Sequence, residues 1–209
     1  AAYFSGGSAR IKGLGYRLQG SGRVAGNLHA PDYMLDNTGM RELGFSGAIG
    51  YSNDRLGTEV YLSHFQTNLG ILADAHTGNL SDLQSIIENG RPFRQPDFTY
   101  DIRNPQQDVN HQILKIKAHY HVSPSTKLNV QYAFQRNNRQ EFDRRRGDRN
   151  ERPALDLVLF TNPLDAHISH NTRKNWNGST GLQMIQQANS NMPGTGVVPL
   201  IPNYDMLNL

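Results

Sequence analysis

Thr126-Lys127-Leu128-Asn129-Val130-Gln131-Tyr132-Ala133-Phe134-Gln135-Arg136-Asn137-Asn138 is the stretch on which the reading of this chain turns. Leu128, Val130, Tyr132 and Phe134 fall in one register, and Asn129, Gln131, Ala133, Gln135 and Asn137 in the other. Side chains alternate across a strand with period two, so this is a strand with one apolar and one polar or small face. The preceding segment, Asp108–Val122, repeats the scheme, with Leu114, Ile116, Ala118, Tyr120 and Val122 opposed to Lys115, Lys117, His119 and His121.

Working outward, the same alternation marks Lys12–Val24, Met40–Tyr51, Gly57–Thr67, Ala154–His170 and Trp176–Ala188. Leu14, Tyr16, Leu18 and Val24 oppose Arg17, Gln19 and Arg23, and Leu43, Phe45, Ile49 and Tyr51 oppose Glu42, Gly44, Ser46, Ala48 and Gly50. Two segments are less clean. Gly57–Thr67 carries apolar residues in both registers, and Ala154–His170 contains Pro163, which a strand tolerates at an edge, an end or a bulge.

The connectors alternate in length. Ser52–Leu56, Ser123–Ser125 and Asn171–Asn175 are tight, while Ala25–Gly39, Asn68–Gln107, Asn137–Pro153 and Asn189–Tyr204 are long. Short turns at one end and long loops at the other are the pattern of transmembrane barrels, whose strands are apolar on the lipid side and polar on the lumen side. The expected fold class is therefore all-β, an antiparallel transmembrane β-barrel segment of about eight strands. A mean hydropathy of −0.63 is no objection, because only alternate strand residues need face lipid. Tyr51, Tyr120 and Trp176 sit beside tight turns, where an interfacial aromatic girdle is expected.

Two lysines in hydrocarbon would cost about 2–4 kcal/mol each at mid-depth, so the face of Lys115 and Lys117 must be wet. Lys115, Lys117, His119, His121, Gln131 and Gln135 are accordingly expected to face the lumen. In the first long loop, Asn79 or Ser81 can cap a short helix near 79–89, with Gln84 at capping-box spacing, an apolar stripe of Leu80, Leu83, Ile86 and Ile87, and Gly90 to close it. That stripe is expected to pack against its own or a neighbouring loop. Arg136–Arg152 is the most charged stretch, and its Arg139, Arg144, Arg145 and Arg146 are candidates for an anionic ligand. The competing account is a solvated loop with internal ion pairs to Glu141, Asp143, Asp148 and Glu151.

No cysteine is present, so neither disulfides nor thiolate metal sites arise. No nucleophile elbow, phosphate-binding loop, dinucleotide fingerprint or zinc-protease helix accompanies the Ser, His and Asp residues, and no catalytic residue, metal site, cofactor or nucleic-acid partner is expected. His119 and His121 share a side of their strand but lack a third ligand in the sequence pattern. Ala1–Ser8 reads as strand with no export signal before it, and Met206-Leu207-Asn208-Leu209 reads as the start of another strand, so the chain is expected to be an internal piece of a longer protein.

Several stretches carry a family likeness. They are Asn37-Thr38-Gly39; Gly70-Ile71 with His76-Thr77-Gly78-Asn79-Leu80-Ser81-Asp82-Leu83; Phe98-Thr99-Tyr100-Asp101-Ile102 with Pro105-Gln106-Gln107-Asp108-Val109-Asn110-His111; Gln135 to Asp143; and Pro199 to Tyr204. Through them residues 1–209 resemble part of the barrel domain of TonB-dependent outer-membrane receptors, especially the iron-complex receptors of Bacteroidetes. The resemblance implies a wall of a 22-stranded barrel in the outer membrane of a Gram-negative bacterium. It implies active transport of a siderophore, another iron complex or a similar large nutrient such as a glycan. The implied partners are outer-membrane lipid and lipopolysaccharide, the receptor's own plug domain and TonB, with plug, TonB box and remaining strands outside this chain. The other readings are a small self-closed outer-membrane barrel with a structural or adhesive role, and a soluble all-β binding module.

Overall fold

In the computed structural model, the residues described are 1–72, 80–92, 94–144, 152–172, 176–192, 195 and 202–209. They form β1 (Ala2–Gly7), β2 (Leu14–Ala25), β3 (Met40–Ser52), β4 (Leu56–Gly70), helix α1 (Leu80–Asn89), β5 (Gln106–Ser123), β6 (Thr126–Phe142), β7 (Leu155–Thr172), β8 (Trp176–Asn191) and β9 (Tyr204–Asn208). The nine strands make one antiparallel sheet in which each pairs only with its neighbours in the chain, and β1 does not pair with β9. The fold is thus all-β, an open meander of barrel-wall type, one strand more than the sequence pattern suggested.

Register makes the two faces continuous. Tyr16 stands opposite Ile49, Ile49 opposite Val60, and the row runs on through Ile116, Tyr132, Leu164 and Met184 without a polar side chain. The rows on either side are Leu14, Tyr51, Thr58, Ala118, Val130, Ala166 and Leu182, and Leu18, Gly47, Leu62, Leu114 and Phe134. Between them, on the opposite face, lie rows such as Gly50, Glu59, Lys117, Gln131, Asp165 and Gln183. Gly57–Thr67, ambiguous as sequence, resolves by parity. Val60 and Leu62 join the apolar face, while Tyr61 and Phe65 lie on the polar one.

Among the described residues no second layer covers the apolar rows. Ala133, Leu157 and Val158 are the buried apolar residues among the described ones, whereas Leu18, Phe45, Ile49, Leu62 and Leu182 are each more than half exposed. A soluble sandwich would bury those rows between two sheets. Here the core is the sheet's own hydrogen-bond ladder.

Tight turns owe their form to short polar side chains. At the β3–β4 turn the Asn53 carboxamide oxygen accepts from the amides of Arg55 and Leu56 at 2.9 and 2.8 Å, an Asx turn. Pro124 and Ser125 alone join β5 to β6. At the β1–β2 turn Gly13 holds φ +87°, and a Cβ there would collide with the Ser52 carbonyl oxygen.

Pro163 is neither at an edge nor at an end, nor in a bulge. It lies mid-strand in β7, an interior strand, and remains opposite Ile185 of β8. Toward β6 the ladder lapses between Leu164 and Thr161 and resumes in the same register, because proline has no N–H to donate. One side-chain bond crosses the gap, the Tyr132 hydroxyl donating to Asn162 (3.2 Å); on the β8 side Asn162 donates to Gln186 (3.3 Å) and Gln187 to the Thr161 hydroxyl (3.1 Å).

Helix α1 forms where expected and ends at Gly90 with φ +66°. The helix begins at Leu80, so Ser81 stands within its first turn, and the Gln84 amide nitrogen donates to Glu88 one turn on, at 3.0 Å. The stripe does not pack as expected, because Leu80, Leu83 and Ile87 all remain exposed. The Asn79 cap lies outside the described residues.

Replacing Gly13 by Ala should cost at least about 1–2 kcal/mol, since an L side chain is strained in the left-handed region even before the collision is counted. Denaturant unfolding of the refolded protein measures this, and an unchanged midpoint would refute the turn geometry.

Candidate functional site

The polar face gathers the charged groups that the alternation assigned to it. Lys115, Lys117, His119 and His121 follow one another on β5, Gln131 stands opposite Lys117, and Gln135 opposite Ile113, so all six share that face. Lys115 Nζ lies 5.1 Å from the Tyr61 ring centroid, a cation–π contact that holds the ammonium against β4. The rings of His119 and His121 meet edge to face at 5.7 Å, and His119 lies over Gly57. On β7, His167 Nδ1 sits 2.9 Å from Asp165 Oδ1. Among the described residues no three His, Cys, Asp or Glu side chains converge to hold a metal ion.

Beside this row the face is hollow. Gly7, Gly15 and Gly50 stand side by side across β1–β3, followed by Glu59 and Lys117 on β4 and β5. Gly15 and Gly50, without side chains, leave bare backbone as the floor of a trough of about 470 Å³, walled by Tyr3, Arg17, Glu59, Lys117 and His119. Its size is that of a small-molecule cleft, about 300–1,000 Å³. Its walls offer both charges and its floor offers no bulk.

Of the arginine candidates, Arg139 is not in a loop. β6 continues to Phe142, and Arg139 pairs with Val109 on one side and Leu157 on the other, on the polar face. Its guanidinium is tied to Glu141, with Nε 2.9 Å from the carboxylate, and Glu141 also accepts from Gln107 at 3.1 Å. The strand outlasts its hydrophobic pattern because the ladders to β5 and β7 run on through Gln107 and Leu155, and backbone bonds need no apolar side chain. Arg144 stands just beyond β6, its amide bonded to the Asp143 carboxylate at 2.8 Å. Arg145 and Arg146, with Asp148 and Glu151, lie outside the described residues.

The most fully built polar cluster lies at the long-loop end, around Asn37. Its carboxamide nitrogen is within 2.9 Å of three carbonyls, those of Ile71, Arg103 and Pro105, and its oxygen accepts from the Arg103 amide at 2.8 Å. Asn37 is 2% exposed and sits at φ +60°, a conformation that asparagine tolerates better than most residues. Gly70 completes the fit, because a Cβ there would come within 2.5 Å of the Asn37 carbonyl oxygen. Next to it the buried Asp36 carboxylate holds Arg103 Nη2 at 2.8 Å. The Thr38 hydroxyl accepts from the Leu28 amide at 2.7 Å, and Asn27 donates to the Thr99 carbonyl at 3.0 Å.

Asn37 thus fastens the β2–β3 loop to both ends of the β4–β5 loop. Sequence reading marked Asn37-Thr38-Gly39 only as a matching stretch and missed Asp36 and Arg103. The usable signal was an asparagine and a glycine directly before a strand, the composition of a left-handed turn.

Asn37→Ala removes the carboxamide's contacts to four backbone groups at a buried node and should destabilise the long-loop end by about 1–3 kcal/mol. Limited proteolysis should then cut within 94–105 faster than in the parent chain, while β5–β7 amides keep their exchange protection. Equal cleavage rates would show that the clasp is dispensable.

Set against family models, curated proteins and solved structures, the chain matches none.

Proposed function

We propose that these nine strands are part of the wall of a wide outer-membrane β-barrel, and that the barrel works as a TonB-dependent active transporter. Its cargo in this reading is a siderophore, another iron complex or a nutrient of similar size. The observation that carries the reading is the uncovered apolar face. From the row of Tyr120 to the row of Leu62, Leu114 and Phe134 it runs six residues, seen on β5 as Tyr120 to Leu114, and the row above mixes Phe45 and Phe160 with His64, Gln112 and Arg136. Six residues at about 3.3 Å each extend about 20 Å along a strand, or about 15 Å vertically at a tilt of about 40°, which is the greater part of the lipid-facing band of such barrels. Tyr51 and Tyr120 lie on this face at its short-turn edge, where an aromatic girdle would stand.

Width is supported by the opposite face. Gly7, Gly15, Gly50, Ala48, Ser46 and Ser63 leave too little bulk to fill a narrow bore, so a plug or water would occupy the lumen. The self-closed alternative fits less well. An up-and-down meander of nine strands runs its first and last strands in the same direction, so direct closure would require a parallel pair, whereas bacterial single-chain barrels have an even strand number. The soluble-module reading leaves the exposed apolar rows without an explanation. Lys115, Lys117, His119 and His121 would line the lumen, where their donors can pair with plug carboxylates or steer an anionic complex.

Two measurements test the proposal. Uptake of a labelled ferric complex by cells that depend on this protein should collapse when the proton-motive force is discharged or TonB is removed; uptake that survives both would reject active transport. Ile116→Arg, at the middle of the apolar band, should lower stability in phospholipid vesicles by about 2–4 kcal/mol, and Lys117→Leu one residue away by far less. Equal effects in a refolding titration would reject the assignment of the faces.

A further inference from the structure

His119 and His121, neighbours on the polar face of β5, keep their ring nitrogens uncommitted. His167 is tied to Asp165 and His170 to Thr126, but among the described residues no hydrogen bond reaches either ring of the β5 pair. Both side chains are half-buried rather than enclosed. His119 also stands in the wall of the trough, so a solute can reach it from the wet side.

Strand geometry brings the two rings close to the arrangement of a chelate. Residues two apart on a strand share a face and stand about 6.6 Å apart. A metal–nitrogen bond of about 2.0–2.1 Å places an ion about 3.2 Å from an imidazole centre, so two imidazoles on adjacent positions of one ion have centres about 4.5–5.2 Å apart. The rings of His119 and His121 are 5.7 Å apart, at 88° to one another. Closing that difference takes a modest turn about χ2, a torsion that is broad in histidine. The His119 ring owes its place to Gly57, where a Cβ would come within 2.2 Å of Cε1.

The donors select the ion. Imidazole nitrogen suits copper, zinc and nickel, and along the divalent series affinity peaks at Cu(II). Magnesium and calcium call for oxygen ligands, which the pair does not offer. Charge selects the form in which the ion arrives. Lys117 lies two residues before His119, and Lys127 stands opposite His121, with Glu59 opposite Lys117 as a partial offset. Two ammonium groups repel a bare dication and favour one whose other positions hold an anionic ligand.

We propose that His119 and His121 are the two protein donors of an open transition-metal site, selective for Cu(II) and strongest when an anionic chelator fills the remaining positions. Two donors are fewer than the four of a structural zinc centre, so the ion is held exchangeably and adds little to folding. Such a site needs only that β5 turns both rings to water, whatever the wall transports.

The test uses the complete protein that contains these strands, purified in detergent and titrated with Cu(II)–nitrilotriacetate, a monoanionic complex with two open positions. Electron paramagnetic resonance should show two imidazole nitrogens per bound ion. His119→Asn and His121→Asn should each weaken binding about a hundredfold and leave one nitrogen, because the second donor acts at a high effective concentration. Lys117→Gln should weaken binding of the anionic complex and strengthen that of the aqueous ion, opposite signs that a purely structural role would not give. Parent-level affinity with two nitrogens in either histidine variant overturns the assignment. Should those variants fail to fold, the parent protein still decides the matter. The complex should shield His119 and His121 together from diethyl pyrocarbonate while the exposed His29 goes on reacting. Equal modification of the pair with and without the metal overturns the proposal.

Discussion

Side chains of a strand alternate between two faces, so a one-layer sheet keeps a single apolar face only if every connector returns the chain in the same parity. A slip of one residue anywhere would turn a whole strand inside out. In this sheet parity holds through tight turns as different as Asn53–Arg55 and Pro124–Ser125, and across the 35 residues between β4 and β5. The row from Tyr16 to Met184 is the outcome, and its polar counterpart from Gly50 to Gln183 follows from the same constraint. Where a soluble protein enforces register by burial in a core, this one has only three buried apolar residues among those described to do it. The ladder does the rest, helped in the proposed membrane setting by a solvent that differs between the two faces.

That division also bears on the proposed function. A face of glycine, serine and amides with Lys115, Lys117 and the histidines would, as a lumen wall, be free to exchange partners. The loop end carries the opposite design. Around Asn37, three chain segments share one buried carboxamide, and Asp36 and Arg103 add an ion pair with one partner buried. One region is built to be lined by something else, the other to keep its own shape.

Much of the sheet was legible in the sequence, because period-two alternation is imposed residue by residue and leaves a local trace. Thr126–Asn138 gave its faces, and so did Asp108–Val122 as far as His121, beyond which the register shifts; Gly57–Thr67, ambiguous by itself, took its parity from its neighbours. Legibility stopped where hydrophobicity stopped. β6 runs on to Phe142 through a charged stretch, held by backbone pairing that composition does not reveal, so Arg139 was read as loop. The clasp was out of reach for a different reason. Asn37 and Arg103 are 66 residues apart, and nothing local says that one carboxamide will serve both ends of a long loop. Helix α1 was visible from its caps and stripe, but a stripe specifies only a side, not an occupant.

Pro163 leaves a mark of another kind on the wall. With no amide to give β6, the middle of β7 is joined on that side by a tyrosine hydroxyl and an asparagine, while its other side keeps the full ladder. Side-chain bonds have more freedom than a ladder. The loosening is confined to the two positions between Tyr132 and Gln135, because the ladder closes again on both sides of it and holds the two strands in one register.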